Sequence, residues 1–259
     1  MTTQHAGAGA FALKATERQS SPHRGIFVTG TDTGVGKSLV SAALLRAAKG
    51  LGLDVAGMKP VASGSQWTAA GLRNDDALAL MAEQSTPFPY DLVNPYTFAP
   101  AIAPHIAAAQ AGIAIDIGKI AAAYKQLEDQ SNIVIVEGAG GWYAPISQAA
   151  TMAELALALE LPVLVVVGLR LGCLNHALLT ARAIERTSLP ICGWVANRLD
   201  PQFPHWRENV ETLTRLLGAP LVGLIDHQPT PSIELAARSL DVASLLARLA
   251  VPSGQAPAQ

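Results

Sequence analysis

Short apolar, β-branched segments alternate along this chain with longer segments whose apolar residues recur at helical spacing. Gly25–Thr29 (GIFVT), Val55–Lys59 (VAGMK), Ile133–Val136 (IVIV), Pro162–Val167 (PVLVVV), Ile191–Ala196 (ICGWVA) and Leu221–Ile225 (LVGLI) read as strands. Most are nearly unbroken apolar runs, the pattern of strands covered on both faces. Between them, Gly36–Lys49, Asp75–Gln84, Asp116–Asp129, Thr151–Glu160, Cys173–Arg186, Trp206–Leu217 and Ser232–Leu249 read as helices. Thr151 followed by Glu154 predicts a capping box, in which each side chain satisfies a free N–H at the helix start. The alternation predicts an α/β fold with a doubly wound, mostly parallel sheet. Such sheets bind ligands at the carboxyl ends of their strands. Pro87–Pro104 carries five prolines and is expected to be an irregular excursion.

Composition narrows the class. Of 259 residues, 50% are apolar and 15% charged, enough for a large buried core in one domain. That domain is expected over residues 24–251, with a disordered or tag-like extension at 1–23 and a flexible tail at 252–259. A net charge of −2 argues against binding nucleic acid through its phosphates. Two cysteines are too few for a disulfide framework and fit a reducing cytoplasm. Residues 1–23 do not read as a secretory signal, and no apolar run reaches the ~20 residues that span a bilayer. His23, His105, His176, His205 and His227 lack metal-ligand spacing, so no zinc site is expected.

The loop after the first strand reads Gly30-Thr31-Asp32-Thr33-Gly34-Val35-Gly36-Lys37-Ser38. Its glycines let backbone N–H groups turn toward phosphate oxygens, and the following helix offers its positive end. In such a P-loop Lys37 reaches the β- and γ-phosphates of a nucleoside triphosphate and the Ser38 hydroxyl ligates Mg²⁺. The strict motif has glycine where this chain has Thr31, and Gly30 lies one residue early. The strand before and the helix after supply the context the motif requires.

Other candidates follow neighbouring strands. Lys59, with Pro60 and Ser63 after it, stands where its charge can meet a γ-phosphate or a developing oxyanion, or is a solvated surface lysine. Ser63 contacts the same ligand or caps a turn. Asp75 and Asp76 complement a helix dipole, and near a triphosphate one of them can hold Mg²⁺. Glu137 closes the strand IVIV and precedes Gly138-Ala139-Gly140-Gly141, which suits a second Mg²⁺ ligand beside close backbone approach. Gly172-Cys173-Leu174-Asn175 opens a helix whose free N–H groups can receive a carboxylate. Cys173 lacks an arranged histidine–acid pair and reads as structural. Asn197 can hydrogen-bond an adenine edge, and Asn197-Arg198-Leu199-Asp200 is loosely similar to the guanine reader of GTPases.

Taken in order, GTDTGVGKS, KPVASG, LRNDDALAL, NPYTF, PHIAAAQ, VEGAGGW, GCLNHALLT and GWVAN resemble the dethiobiotin synthetases, ATP-dependent enzymes of biotin synthesis. The resemblance runs from about Gly25 to Leu224. It implies a P-loop NTP hydrolase fold and a reaction in which 7,8-diaminopelargonate, CO₂ or bicarbonate, and ATP give dethiobiotin, ADP and phosphate. The route passes through a carbamate and a carbamic–phosphoric anhydride, with Mg²⁺ and no biotin prosthetic group. It implies that Lys37 and Lys59 are catalytic, and that Ser38, Asp76 and Glu137 hold the metal. It further implies nucleotide contacts from Gly34, Val35, Gly36, Lys37, Ser38, Leu39, Asp76, Glu137, Gly138, Ala139, Gly140, Asn197 and Arg198. Ser63 is implied as a substrate contact, and Gly172, Cys173, Leu174 and Asn175 as the receiver of the substrate carboxylate from the second subunit of a homodimer. Gly34 stands where several family members carry an acid, and Asn209 lies near where they carry a tyrosine.

Two other readings are weaker. Cobyric-acid-type amidotransferases need a glutaminase domain for which the chain has no room. Partitioning ATPases carry a lysine early in the P-loop, where Thr31 and Asp32 stand, and their membrane-binding versions end in a basic amphipathic helix that Ser232–Leu249 does not match.

Overall fold

The computed structural model describes residues 24–249. The extension and tail expected at 1–23 and 252–259 lie outside the described residues.

The apolar runs form one parallel sheet. Its strands are β1 (Gly25–Gly30), β2 (Val55–Met58), β7 (Ile133–Gly141), β8 (Val163–Leu169), β9 (Ile191–Arg198) and β10 (Leu221–Ile225). They lie in the order β10-β9-β8-β1-β7-β2, and every neighbouring pair is parallel. Burial on both faces explains the unbroken runs. Ile26, Val28, Ile133 and Ile135 enter one core cluster, while Phe27, Val134 and Val136 enter the other.

Helices α1 (Lys37–Gly50), α2 (Asp75–Glu83), α9 (Ile233–Arg238) and α10 (Val242–Arg248) feed the first cluster. Helices α5 (Ile117–Glu128), α6 (Met152–Leu159), α7 (Cys173–Glu185) and α8 (Trp206–Leu216) feed the second. The capping box of α6 is present: Glu154 accepts from the Thr151 N–H at 2.7 Å, and Thr151 Oγ1 accepts from the Ala153 N–H at 3.2 Å.

The sheet order decides where chemistry can sit. Consecutive strands β7 and β8 flank β1 on opposite sides. The loops beyond β1 and β7 therefore open a crevice at the carboxyl edge, the topological switch point where open α/β sheets bind ligands.

Three expectations need correction. The segment Pro87–Pro104 is not irregular throughout, because it holds helix α3 (Tyr90–Val93), strand β6 (Tyr96–Phe98) and the start of α4 (Pro104–Gln110). Its prolines flank these elements, where a missing N–H costs nothing. β6 pairs with β3 (Val61–Ser63), and β4 (Gln66–Thr68) forms an antiparallel hairpin with β5 (Gly71–Arg73). Ser232–Leu249 is two helices rather than one. Leu240 bridges to Gly223 at the sheet edge, the Asp241 N–H donates to the Val222 carbonyl at 2.8 Å, and Asp241 caps α10. Finally, β7 continues through Glu137 to Gly141. Glu137 is thus inside the sheet rather than after it.

Candidate active site

The P-loop leaves β1 with the Thr31 N–H bonded to the Val166 carbonyl on β8 at 3.0 Å, and enters α1 through Gly36. Gly36 has φ 95°, and a Cβ there would lie 2.1 Å from Asn197 Nδ2. Only glycine fits, on both conformational and steric grounds. Asn197, buried at the end of β9, donates from Nδ2 to the Val35 carbonyl at 2.9 Å. The candidate base contact therefore also holds the P-loop backbone.

Beyond the loop, α1, the end of β2, α2 and β7 bring four polar side chains together: Ser38, Lys59, Asp76 and Glu137. β7 lies between β1 and β2, so Glu137 at its middle faces residues arriving from both neighbours. Glu137 is 0% exposed. Its Oε1 accepts from Ser38 Oγ at 2.8 Å and from Lys59 Nζ at 2.5 Å. Lys59 also pairs with Asp76 Oδ2 at 2.9 Å and donates to the Gly138 carbonyl at 3.3 Å. The surface-lysine reading of Lys59 fails, because the side chain is buried within this cluster.

The two lysines differ electrostatically. Burial alone lowers the Lys59 pKa, but Glu137 and Asp76 outweigh it and hold the ammonium above its ordinary range. Burial also raises Asp76, yet Lys59 and the neighbouring donors pull it below the usual carboxylate range. Lys37 has no such carboxylate contact, and its Nζ donates to the Asp32 carbonyl at 3.1 Å. Desolvation, with Lys59 adding like-charge repulsion, brings its pKa down to about 8.

These residues line a cavity of about 710 Å³. One wall is polar, formed by Thr33, Gly34, Gly36, Lys37, Ser38 and the Lys59–Asp76–Glu137 cluster; Ser63, Asn74, Ala139 and Gly140 also border it. Another part of the lining is an apolar wall of Ala101 to Pro104, Ala144 and Pro145. The sequence reading missed Thr33, Asn74 and this apolar wall. Ala101 to Pro104 belong to the proline-rich segment, whose irregular appearance hid them.

Other expected residues lie elsewhere. Val35 is buried behind the loop and Leu39 packs against the core on α1. The Gly138 carbonyl accepts from Lys59 Nζ. Arg198 is outside the cavity, pairing with Asp226 at 2.8 Å and lying over the Trp206 ring at 5.1 Å. Gly172, Cys173, Leu174 and Asn175 do not line the cavity of their own chain. Cys173 is buried, while Leu171 just before it is 92% exposed.

A divalent cation suits the cluster. Glu137 Oε2 is buried and has no hydrogen-bond partner, so one carboxylate oxygen is left free in the cluster that also holds the Ser38 hydroxyl and Asp76. Among the described residues no group of three or more His, Cys, Asp or Glu side chains forms a metal site. A hydroxyl with one or two carboxylates, completed by phosphate and water, is the donor set Mg²⁺ takes at nucleotide sites. Also among the described residues, no helix is long and apolar enough to cross a membrane.

Comparison with known proteins bears on the family and the fold. A family model described as an AAA domain matches residues 24–233. The ATP-dependent dethiobiotin synthetase BioD 1 of Salmonella typhi is 51% identical over 199 residues, 77% of this chain and 87% of that protein. The corresponding protein of Cellvibrio japonicus is 46% identical over 223 residues, 86% of this chain and 98% of that one. Among solved structures, the septum site-determining protein MinD from Pyrococcus horikoshii, complexed with Mg-ADP, superposes with a TM-score of 0.52 at 16% identity. The overlap covers 87% of this chain and 94% of that one, and it shows the P-loop NTPase fold alone.

Proposed function

The chain belongs to the ATP-dependent dethiobiotin synthetase family, and we propose that it carboxylates 7,8-diaminopelargonate and closes the cyclic urea of dethiobiotin, using ATP and Mg²⁺. As a member of that family it is an ATP-dependent ligase of biotin synthesis. The observation that carries the finer reading is the meeting of Lys37, Ser38, Lys59, Asp76 and Glu137 at one wall of one cavity. Among the described residues that line it there is no cysteine or histidine to serve as nucleophile or base. Phosphoryl transfer needs positioning and charge neutralisation rather than a protein nucleophile, so this composition fits.

In the proposed sequence one substrate amine adds to CO₂, giving a carbamate and releasing a proton. A carbamate oxygen attacks the γ-phosphorus, the bond to the bridging oxygen breaks, and ADP leaves. The second amine then attacks the carbamoyl carbon of the mixed anhydride. The carbon–oxygen bond breaks, phosphate departs, and the ring is closed. Lys59, kept protonated by its two carboxylates, supplies a fixed positive charge toward the carbamate and the moving phosphoryl group. Lys37 and the P-loop N–H groups hold the β- and γ-phosphates. Ser38, Asp76 and Glu137 would hold Mg²⁺, which neutralises charge on the phosphate oxygens when bound.

The α7 start serves a second copy of the chain in this reading. Gly172 to Asn175 do not line their own cavity, and Leu171 and Leu179 near them in sequence are exposed. A homodimer that covers these leucines places the free N–H groups of α7 over the partner's cavity, where they receive the substrate carboxylate.

The test is phosphate release by the purified protein. With diamine, bicarbonate, Mg²⁺ and ATP, phosphate should appear, and omitting the diamine should abolish most of it. Rapid ATP turnover that ignores the diamine but responds to DNA or lipid would contradict the proposal.

A further inference from the structure

We propose that Tyr90 and Asn94, neither of which reaches the cavity, are the positioning residues of the Lys59–Asp76 ion pair. The inference rests on the roles given above to those two residues. It begins from a buried relay of hydrogen bonds that those roles do not use.

Tyr90 opens the short helix α3 and Asn94 follows its end. The Tyr90 hydroxyl accepts from the Asn74 N–H at 2.8 Å and donates to Asn94 Oδ1 at 2.8 Å. The Asn94 amide then donates to the Lys59 carbonyl at 2.6 Å and to the Tyr96 carbonyl at 3.1 Å. From the same turn, the Val93 carbonyl accepts from the Lys59 N–H at 2.8 Å. Both backbone groups of Lys59 are thus held by one turn of the proline-rich segment.

The other end of the relay reaches the acid. Asn74 is the N-cap of α2, and its Oδ1 accepts from the N–H of Asp76 at 3.1 Å and of Ala77 at 3.4 Å. The Tyr90 hydroxyl therefore joins the backbone that presents Lys59 to the cap that presents Asp76. Asn94 is 2% exposed, and Arg73 lies 4.1 Å over the Tyr90 ring. Groups buried this deeply cannot exchange a lost partner for water.

Such a link matters because Lys59 sits just past the end of β2, and nothing in that strand's ladder fixes its onward path. A displacement of about 1 Å at a reacting group can cost on the order of 10²-fold in rate. The proline-rich segment is in this account a scaffold, setting Lys59 and Asp76 to the spacing at which one ammonium serves two carboxylates.

Tyr90→Phe tests it most cleanly, since the ring and its contact with Arg73 stay while the hydroxyl goes. Asn94→Asp is the second variant, placing an oxygen against the Lys59 and Tyr96 carbonyls. It carries the test if Tyr90→Phe does not fold. In the intact chain each should lower kcat about tenfold or more and change the KM for ATP by less than about twofold, a split that a loss of stability alone does not produce. Because both act through one relay, the double variant should be no worse than the poorer single one. Lys59→Gln is measured alongside. Collapse of turnover in Lys59→Gln, with unchanged kcat in the relay variants, would overturn the positioning role alone. Near-normal turnover in Lys59→Gln would overturn the assignment of Lys59 and this proposal with it.

Discussion

Ser38 and Lys59 direct their donors at the same oxygen of Glu137, 2.8 Å and 2.5 Å from Oε1, and leave the equally buried Oε2 without a partner. Ser38 belongs to the P-loop helix after β1, and Lys59 follows the end of β2. They meet because β7, which carries Glu137, lies between those two strands. Strand order thus turns two distant sequence motifs into one charge cluster, with an acceptor left over for a cation.

Lys59→Gln should lower turnover by at least about 10²-fold, as loss of a preorganised charge-stabilising group does. It also leaves Glu137 buried without its cation, a situation that costs about 3–5 kcal/mol. Circular dichroism at 25 °C should remain native-like while thermal unfolding moves clearly downward. Mg²⁺ with a nonhydrolysable nucleotide should recover part of the loss. Turnover close to that of the unaltered chain would return Lys59 to a packing role.

Lys37 titrates near neutrality in the free protein, its pKa brought to about 8 by burial and then by Lys59. A triphosphate on Lys37 favours the ammonium, so nucleotide binding should take up a proton at pH 8 to 9. Calorimetry in buffers of differing ionisation enthalpy measures that uptake directly. The stability sign follows from the same depression. Between about 8 and the ordinary 10.5 the unfolded chain holds more proton than the folded one, so this group's contribution to stability rises with pH across that window. Binding without proton uptake would show that Lys37 is already fully charged.

Asn197→Ala removes the buried donor to the Val35 carbonyl and should lower folding stability by about 1–3 kcal/mol, the range for an orphaned buried acceptor, and weaken nucleotide binding by loosening the P-loop. The KM for ATP should rise more than kcat falls. Gly36→Ala adds a Cβ at 2.1 Å from Asn197 Nδ2 where φ is 95°, and should abolish nucleotide binding. Comparing ATP, CTP and GTP in Asn197→Ala separates the two uses of the side chain. Loss of base preference indicates contact with the base, while a uniform loss indicates only support of the loop.

The strands and the P-loop were legible because their signals are local. Unbroken runs such as IVIV and VLVVV announce burial on both faces, and GTDTGVGKS needs only the strand before it and the helix after it. Lys59 was ambiguous from its neighbours alone, because its carboxylate partners come from α2 and from the middle of β7. Glu137 looked like a strand end, since the glycines after it weaken strand propensity while the ladder with β1 carries the strand through to Gly141. The break between α9 and α10 was hidden for a similar reason: Leu240 and Asp241 leave helical geometry to bond Gly223 and Val222 on β10. Prolines made 87–104 look featureless, although Tyr90, Asn94 and the Ala101 to Pro104 part of the cavity's apolar wall lie in it.

The central claim is that ATP phosphorylates a carbamate oxygen, and oxygen transfer tests it most directly. With bicarbonate and CO₂ enriched in ¹⁸O and a reaction short against their exchange with water, one labelled oxygen should pass into each phosphate released with diamine present. Mass spectrometry of the phosphate reads the outcome. Phosphate labelled in step with dethiobiotin formation is the predicted result. Phosphate carrying no label while dethiobiotin forms would contradict the account, because the anhydride oxygen would then never have joined carbon to phosphorus.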